Sequence, residues 1–166
     1  MIGVFTVTIL MSGCSTHQLN TKSPDPIASL GKDIKVTVTG GTSGISDQLS
    51  RHIQANLLTE GFNIVSDEKA TNLNVVITEF NAGNAALRLT IGFGAGRGSL
   101  VYNAKYLKAG KILADYTGEE RFTGMELKPG TKFRVAGQFS GEEEATQILL
   151  EDASKNIVDL ATKTKL

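Results

Sequence analysis

One cysteine, two histidines and no tryptophan are all that the 166 residues supply of the side chains most often used for disulfides, metal sites and base stacking. A lone cysteine cannot form a disulfide within the chain. No His-x-Glu, His-Glu-x-x-His or Cys-x-x-Cys pattern occurs, so no metal or cofactor site is expected. The nucleophile-elbow pattern Gly-x-Ser-x-Gly is also missing. Charge of either sign is not in excess: seventeen basic residues balance seventeen acidic ones. Nucleic acid is therefore not an expected partner. No apolar run approaches the roughly 18 residues that cross a bilayer as a helix. What remains, 40% hydrophobic and 20% charged, has the composition of a chain with a core to bury.

The lone cysteine has a telling position. Thr8-Ile9-Leu10-Met11-Ser12-Gly13 leads into Cys14 from an apolar stretch, and a polar segment with Pro24 and Pro26 follows. This order resembles a bacterial lipobox, in which a signal peptide is removed before a cysteine that then carries lipid. Residues 1–13 are thus read as a lipoprotein signal peptide, 14–32 as the lipidated cysteine and a flexible tether, and 33–166 as a single globular domain. Met1-Ile2-Gly3-Val4 holds no Lys or Arg, whereas secretory signals ordinarily begin with positive charge. The competing reading is a buried strand through Val4, Thr6, Val7 and Ile9 that ends in a core cysteine. A polar linker directly behind such a strand argues against it. Fully extended, the tether would reach about 60 Å. Ser15, where inner-membrane retention would favour aspartate, points by resemblance to enterobacterial sorting toward the outer membrane, facing the periplasm.

Beyond the tether, alternation in Ile34-Lys35-Val36-Thr37-Val38 predicts a strand that Gly40-Gly41 ends. Ile45, Leu49, Ile53 and Leu57 recur every four residues, predicting a helix with Ser43 as N-cap and Gly61 as its left-handed terminator. Strands are expected at 62–65, 73–80, 100–107 and 111–122, the last two joined by Ala109-Gly110. Ser140-x-x-Glu143 reads as a capping box opening a helix whose apolar face is Ala145, Leu149, Ala153, Ile157 and Leu160. With the glycine-rich stretch that follows Asn84 counted as a further strand, the resulting order is β-α-β-β-β-β-β-α. It implies an α+β fold: one mixed or mostly antiparallel sheet of about five to six strands with two helices packed on one face.

The stretch Leu87 to Ser99 holds glycines at 92, 94, 96 and 98. Neither a dinucleotide fingerprint nor a P-loop fits this spacing, and no helix pattern follows. Period two is strand geometry, with Leu87, Leu89, Ile91 and Phe93 on one side and Arg88, Thr90, Gly92, Gly94 and Gly96 on the other. A bare strand face admits close approach, whether by the chain's own elements or by a partner. Arg88, Gly92, Gly94, Gly96 and Arg97 are accordingly the candidate interaction surface. The two guanidinium groups could hold an anion or carboxylate, although an internal salt bridge is the plainer use.

These residues also carry a resemblance. Glu79-Phe80, Ala85 to Arg88, Gly92 to Gly96 with Arg97, Ser99, and Gly110-Lys111-Ile112-Leu113 are similar to the corresponding elements of bacterial lipoproteins in domain-of-unknown-function family 4410. The similarity spans roughly residues 34–162. It implies class and location, since that family brings no established reaction or ligand.

Other candidates for chemistry read as structural. His52 flanks the apolar stripe of its helix, Glu119 and Glu120 read as solvated charge on opposite sides of a strand, and Tyr102, Tyr106 and Tyr116 fit strand packing. The expectation is a non-enzymatic, lipid-anchored envelope protein. It would touch the membrane through lipid on Cys14 and act by contact with an unidentified envelope protein or with copies of itself. The alternatives are a small-ligand or anion-binding lipoprotein and, third, a subunit of an oligomeric outer-membrane barrel.

Overall fold

The computed structural model describes residues 18–21, 30–84, 96–122 and 141–163. Eight elements follow in order: β1 (Gln18–Thr21), β2 (Asp33–Gly40), α1 (Ile45–Thr59), β3 (Asn63–Ile64), β4 (Thr71–Asn81), β5 (Gly98–Lys108), β6 (Lys111–Phe122) and α2 (Glu142–Lys163). The strands form one sheet in the order β1-β6-β5-β4-β2-β3. β2 runs parallel to β3 and β4, and all other neighbours are antiparallel. The α+β class, the mixed sheet and the two helices on one face all agree with the pattern in the sequence.

Period-two alternation decides which face is buried. On β4 Leu73, Val75 and Ile77 point inward, and they share rungs with Tyr106, Ala104 and Tyr102 of β5. β6 adds Ala114, Tyr116 and Phe122 to the same face. The helices cover it. Ile45, Leu49, Ile53 and Leu57 of α1 are all buried, as are Ala145, Leu149, Ala153 and Ile157 of α2. Each four-residue spacing thus makes the stripe it predicts. Burying a Leu or Ile side chain contributes roughly 1.5–3 kcal/mol, so this interface carries most of the stabilisation.

Turns are where glycine is required. Ala109 and Gly110, at φ 50° and 76°, join β5 to β6 in the left-handed pair that two-residue hairpins demand. Gly61 ends α1 at φ 80°. The helix start differs from expectation. Gly44, not Ser43, is the N-cap residue, and no side chain caps it. Gly44 adopts φ 83°, and the Ile45 N–H donates to the Thr42 carbonyl at 3.1 Å, so a tight turn satisfies the donor that a serine would otherwise take. Ser140, the other expected cap, lies outside the described residues.

The tether is also corrected. Gln18–Thr21 pairs antiparallel with β6, Gln18 opposite Glu119 and Thr21 opposite Tyr116. Leu30 is buried, and its carbonyl accepts a hydrogen bond from the Thr71 hydroxyl. Parts of 14–32 therefore belong to the folded body. Polar sequence misled here because β1 is held through its backbone, which any side chain permits.

Candidate functional site

Three places in the fold bear on function: a polar seam inside the sheet–helix interface, the opposite face of the sheet, and the end where both helices begin.

The seam is built from inward positions of β5 and β6. Tyr102, Tyr106 and Tyr116 are all but fully buried, and Tyr106 lies 6.2 Å from Tyr116 between ring centroids. The hydroxyls of Tyr106 and Tyr116 both donate to the Ile157 carbonyl of α2, each at 3.2 Å. Tyr102 donates to Glu120 Oε1 at 3.2 Å, and Asn156 of α2 donates to the same oxygen at 2.8 Å. Glu120 is 1% exposed. It is not the solvated charge the sequence suggested. Along β6, Ala114, Tyr116, Gly118, Glu120 and Phe122 are all inward, so the phase of the alternation was the signal that places it. One turn earlier, Asn56 of α1 donates to Ser154 of α2 at 2.9 Å, and the Ser154 hydroxyl donates to the Glu151 carbonyl at 2.8 Å. Such bonds fix how α2 sits along the sheet, because a shift of one residue would strand every one of these groups.

Burial raises the pKa of all three tyrosines well above the ordinary value. For Tyr102 the charge of Glu120 adds to desolvation. For Tyr116 the nearby Tyr106 does. A phenol whose folded-state pKa lies above its unfolded value of 10.0 contributes stability that is complete below pH 10 and is lost as pH rises further. These are all the tyrosines the chain has. Alkaline titration should therefore show tyrosinate absorbance flat past about pH 10, then rising in one step together with loss of far-UV circular dichroism. Gradual ionisation near pH 10 with the dichroism intact would contradict the burial of the seam.

No helix covers the other face of the sheet among the described residues. Its rows are mostly polar: Thr37, Asn74, Lys105 and Asp115 form one, and Thr39, Val76, Asn103 and Thr117 the next. Asn103 donates to Asp115 and Thr117, each at 3.2 Å, and Lys105 pairs with Asp115 at 3.3 Å. Val76 is 44% exposed among them. This is a water-compatible surface with its side chains already tied into rows.

At the end where both helices begin, a cleft of about 490 Å³ lies between their first two turns, lined by Gln48, Arg51, His52, Glu143, Thr146 and Gln147. His52 is half-buried there, as expected beside its apolar stripe. The glycine stretch reaches the same end. Gly96 takes φ 69° and its carbonyl accepts from the Asn84 N–H at 3.1 Å, while Arg97 is exposed just ahead of β5. Cys14, Arg88, Gly92 and Gly94 lie outside the described residues. Among the described residues no group of three His, Cys, Asp or Glu is placed to hold a metal ion. Nor is any helix there long and apolar enough to cross a membrane.

With this geometry in view, comparison with known families settles the chain's kinship. The model of the domain of unknown function DUF4410 matches residues 20–123. The chain belongs to the DUF4410 family. The family match begins inside β1 and ends one residue past β6, so it takes in part of the segment read as tether and stops short of α2, whereas the resemblance in sequence had been placed over 34–162. No curated protein matches the sequence. Among solved structures, the DUF4410 chain is similar to PelC from Paraburkholderia phytofirmans, a dodecamer, at 11% identity and TM-score 0.54, covering 87% of this chain and 96% of that one. A singly substituted form of the PelC dodecamer matches equally well. A minor lipoprotein from Acinetobacter baumannii is similar at 12% identity and TM-score 0.48, over 80% of this chain and 94% of that one. At such identities the likeness to PelC concerns the fold.

Proposed function

We propose that this DUF4410 protein is a lipid-anchored accessory protein of the bacterial cell envelope, without catalytic activity of its own, that works through contacts with protein, including copies of itself. Cys14 carries the reading. It is the only cysteine, it ends an apolar run in Ser-Gly-Cys, and it stands four residues ahead of β1. Lipidation uses the thiol fully, so no redox or metal chemistry remains for it. Ser15 favours delivery to the outer membrane, with the domain facing the periplasm.

Two features favour action by contact. The face of the sheet that no helix covers among the described residues presents polar side chains held in rows, a surface that exchanges water for a partner with little reordering. PelC, whose fold is similar, is a dodecamer, which supports self-association as the form that contact takes.

Replacing the cysteine is the direct test. Cys14→Ala should abolish labelling by radioactive fatty acid and move the protein from the membrane fraction to the soluble one. Unchanged fractionation and labelling would defeat the anchoring claim. For self-association, the detergent-extracted wild-type protein should run as a defined oligomer by light scattering. A monomer at every concentration would remove that part of the proposal.

A further inference from the structure

We infer that pairing of β1 with β6 stands the domain on its membrane with the end that carries both helix starts against the phospholipid surface. The inference rests on lipidation of Cys14 and adds to it an orientation. β1 enters the sheet at Gln18, opposite Glu119, near the end of β6. From Cys14 to Gln18 there are four Cα–Cα steps, a reach of about 15 Å. The β5–β6 hairpin lies at the far end of the sheet, because Lys111 is eight residues along β6 from Glu119, about 26 Å away. Lipid on Cys14 can therefore lie near the end of the sheet where β4 finishes and β5, α1 and α2 begin, and cannot reach the hairpin end.

Charge alone would favour the reverse. The end near the anchor carries exposed Asp47, Glu142, Glu143 and Glu144, which outnumber Arg51 and Arg97 there. The far end carries Lys32, Lys69 and Lys108 around a small cleft that Asp33 and Asp67 also line, with Lys111 beside them on the hairpin, a modest excess of positive charge. On a long free tether, anionic headgroups would draw the lysine end down. The four paired residues of β1 prevent this by shortening the connection, and so hold the lysines out toward the periplasm. The membrane-facing surface is thus set by backbone pairing, against the charge.

The test uses the full lipidated chain in vesicles of phosphatidylethanolamine and phosphatidylglycerol with a nitroxide on some headgroups. Since the Cys14 sulfur is alkylated, a single fluorophore can be placed through Ser43→Cys at the helix-start end or Lys111→Cys at the hairpin end. With the two ends of the sheet about 26 Å apart along β6, the dye at 43 should be quenched about twofold or more, and the dye at 111 left unquenched. Equal quenching, or stronger quenching at 111, overturns the inference. Leu19→Pro with Asn20→Pro removes backbone donors of both parities from β1 and should abolish the difference between the two sites. A difference that survives shows that β1 does not set the orientation. A chain that fails to float with the vesicles refutes the lipid anchor itself, a distinct result that takes this inference with it.

Discussion

Gly118→Ala is expected to cost about 3–5 kcal/mol of folding stability, because a methyl group there displaces a whole buried ring. A Cβ on Gly118 would lie 2.2 Å from Cζ and 2.4 Å from the hydroxyl oxygen of Tyr102, its cross-strand partner. Neither side can yield cheaply. Tyr102 is fully buried and bonded to Glu120, and the Gly118 backbone is held between β5 and β1. Expelling the ring breaks the Tyr102–Glu120 bond and opens space beside Asn156, so α2 loosens as well. Denaturant unfolding of four proteins checks this. Tyr102→Ala alone should cost a similar amount, but in the double variant the added methyl occupies vacated space. The two losses should therefore fall short of additivity by about 1.5–3 kcal/mol. Strict additivity would show that the ring and the glycine are not in contact.

The second large effect is expected at Gly40. Two strains coincide there: φ is 83°, and a Cβ would come 2.2 Å from the Ile77 carbonyl oxygen. Gly61 separates them, since its φ is 80° but nothing lies within 4 Å of an added Cβ. Gly61→Ala should thus lose only the left-handed backbone cost, about 1–2 kcal/mol. Gly40→Ala must in addition push β2 from β4 at the end of their parallel pairing, and no side-chain rotation relieves a clash with backbone. A loss beyond about 4 kcal/mol is expected, a large part of a typical domain's 5–15 kcal/mol. Soluble yield and urea midpoint of the two variants decide the matter. Equal losses would reduce Gly40 to an ordinary turn glycine.

The elements that could be read from sequence are those whose side chains repeat. α1 shows in Ile45, Leu49, Ile53 and Leu57, and the β5–β6 hairpin in alternation on both sides of Ala109-Gly110, because burial acts on those side chains directly. β1 was hidden since Gln-Leu-Asn-Thr has no apolar alternation and its partner lies about a hundred positions later. Glu120 was misread because a carboxylate is judged by type, and water is its usual surroundings. Its place in the phase of Tyr116 and Gly118 outweighs that preference, given Tyr102 and Asn156 to bond it. The start of α1 was assigned to the wrong residue because a glycine turn and a serine cap satisfy the same N–H. Of the candidate surface, Gly96 and Arg97 lie just ahead of β5, while Arg88, Gly92 and Gly94, like the lipidation candidate Cys14, lie outside the described residues.

The order of the sheet also has a temporal side. Among the described strands β1 is the first in sequence, yet its partner β6 is the last. Its register closes a loop of about a hundred residues, which in a free chain costs on the order of 4 kcal/mol of entropy, more than four paired residues can offset. β1 therefore joins only after β2, β4, β5 and β6 have assembled and brought the ends together. On the proposed lipidation of Cys14, closure of the sheet would then draw the finished domain down onto its anchor. The same contact, short and at an edge, is expected to be the first to open when stability falls, so the proposed membrane orientation would be lost before the fold.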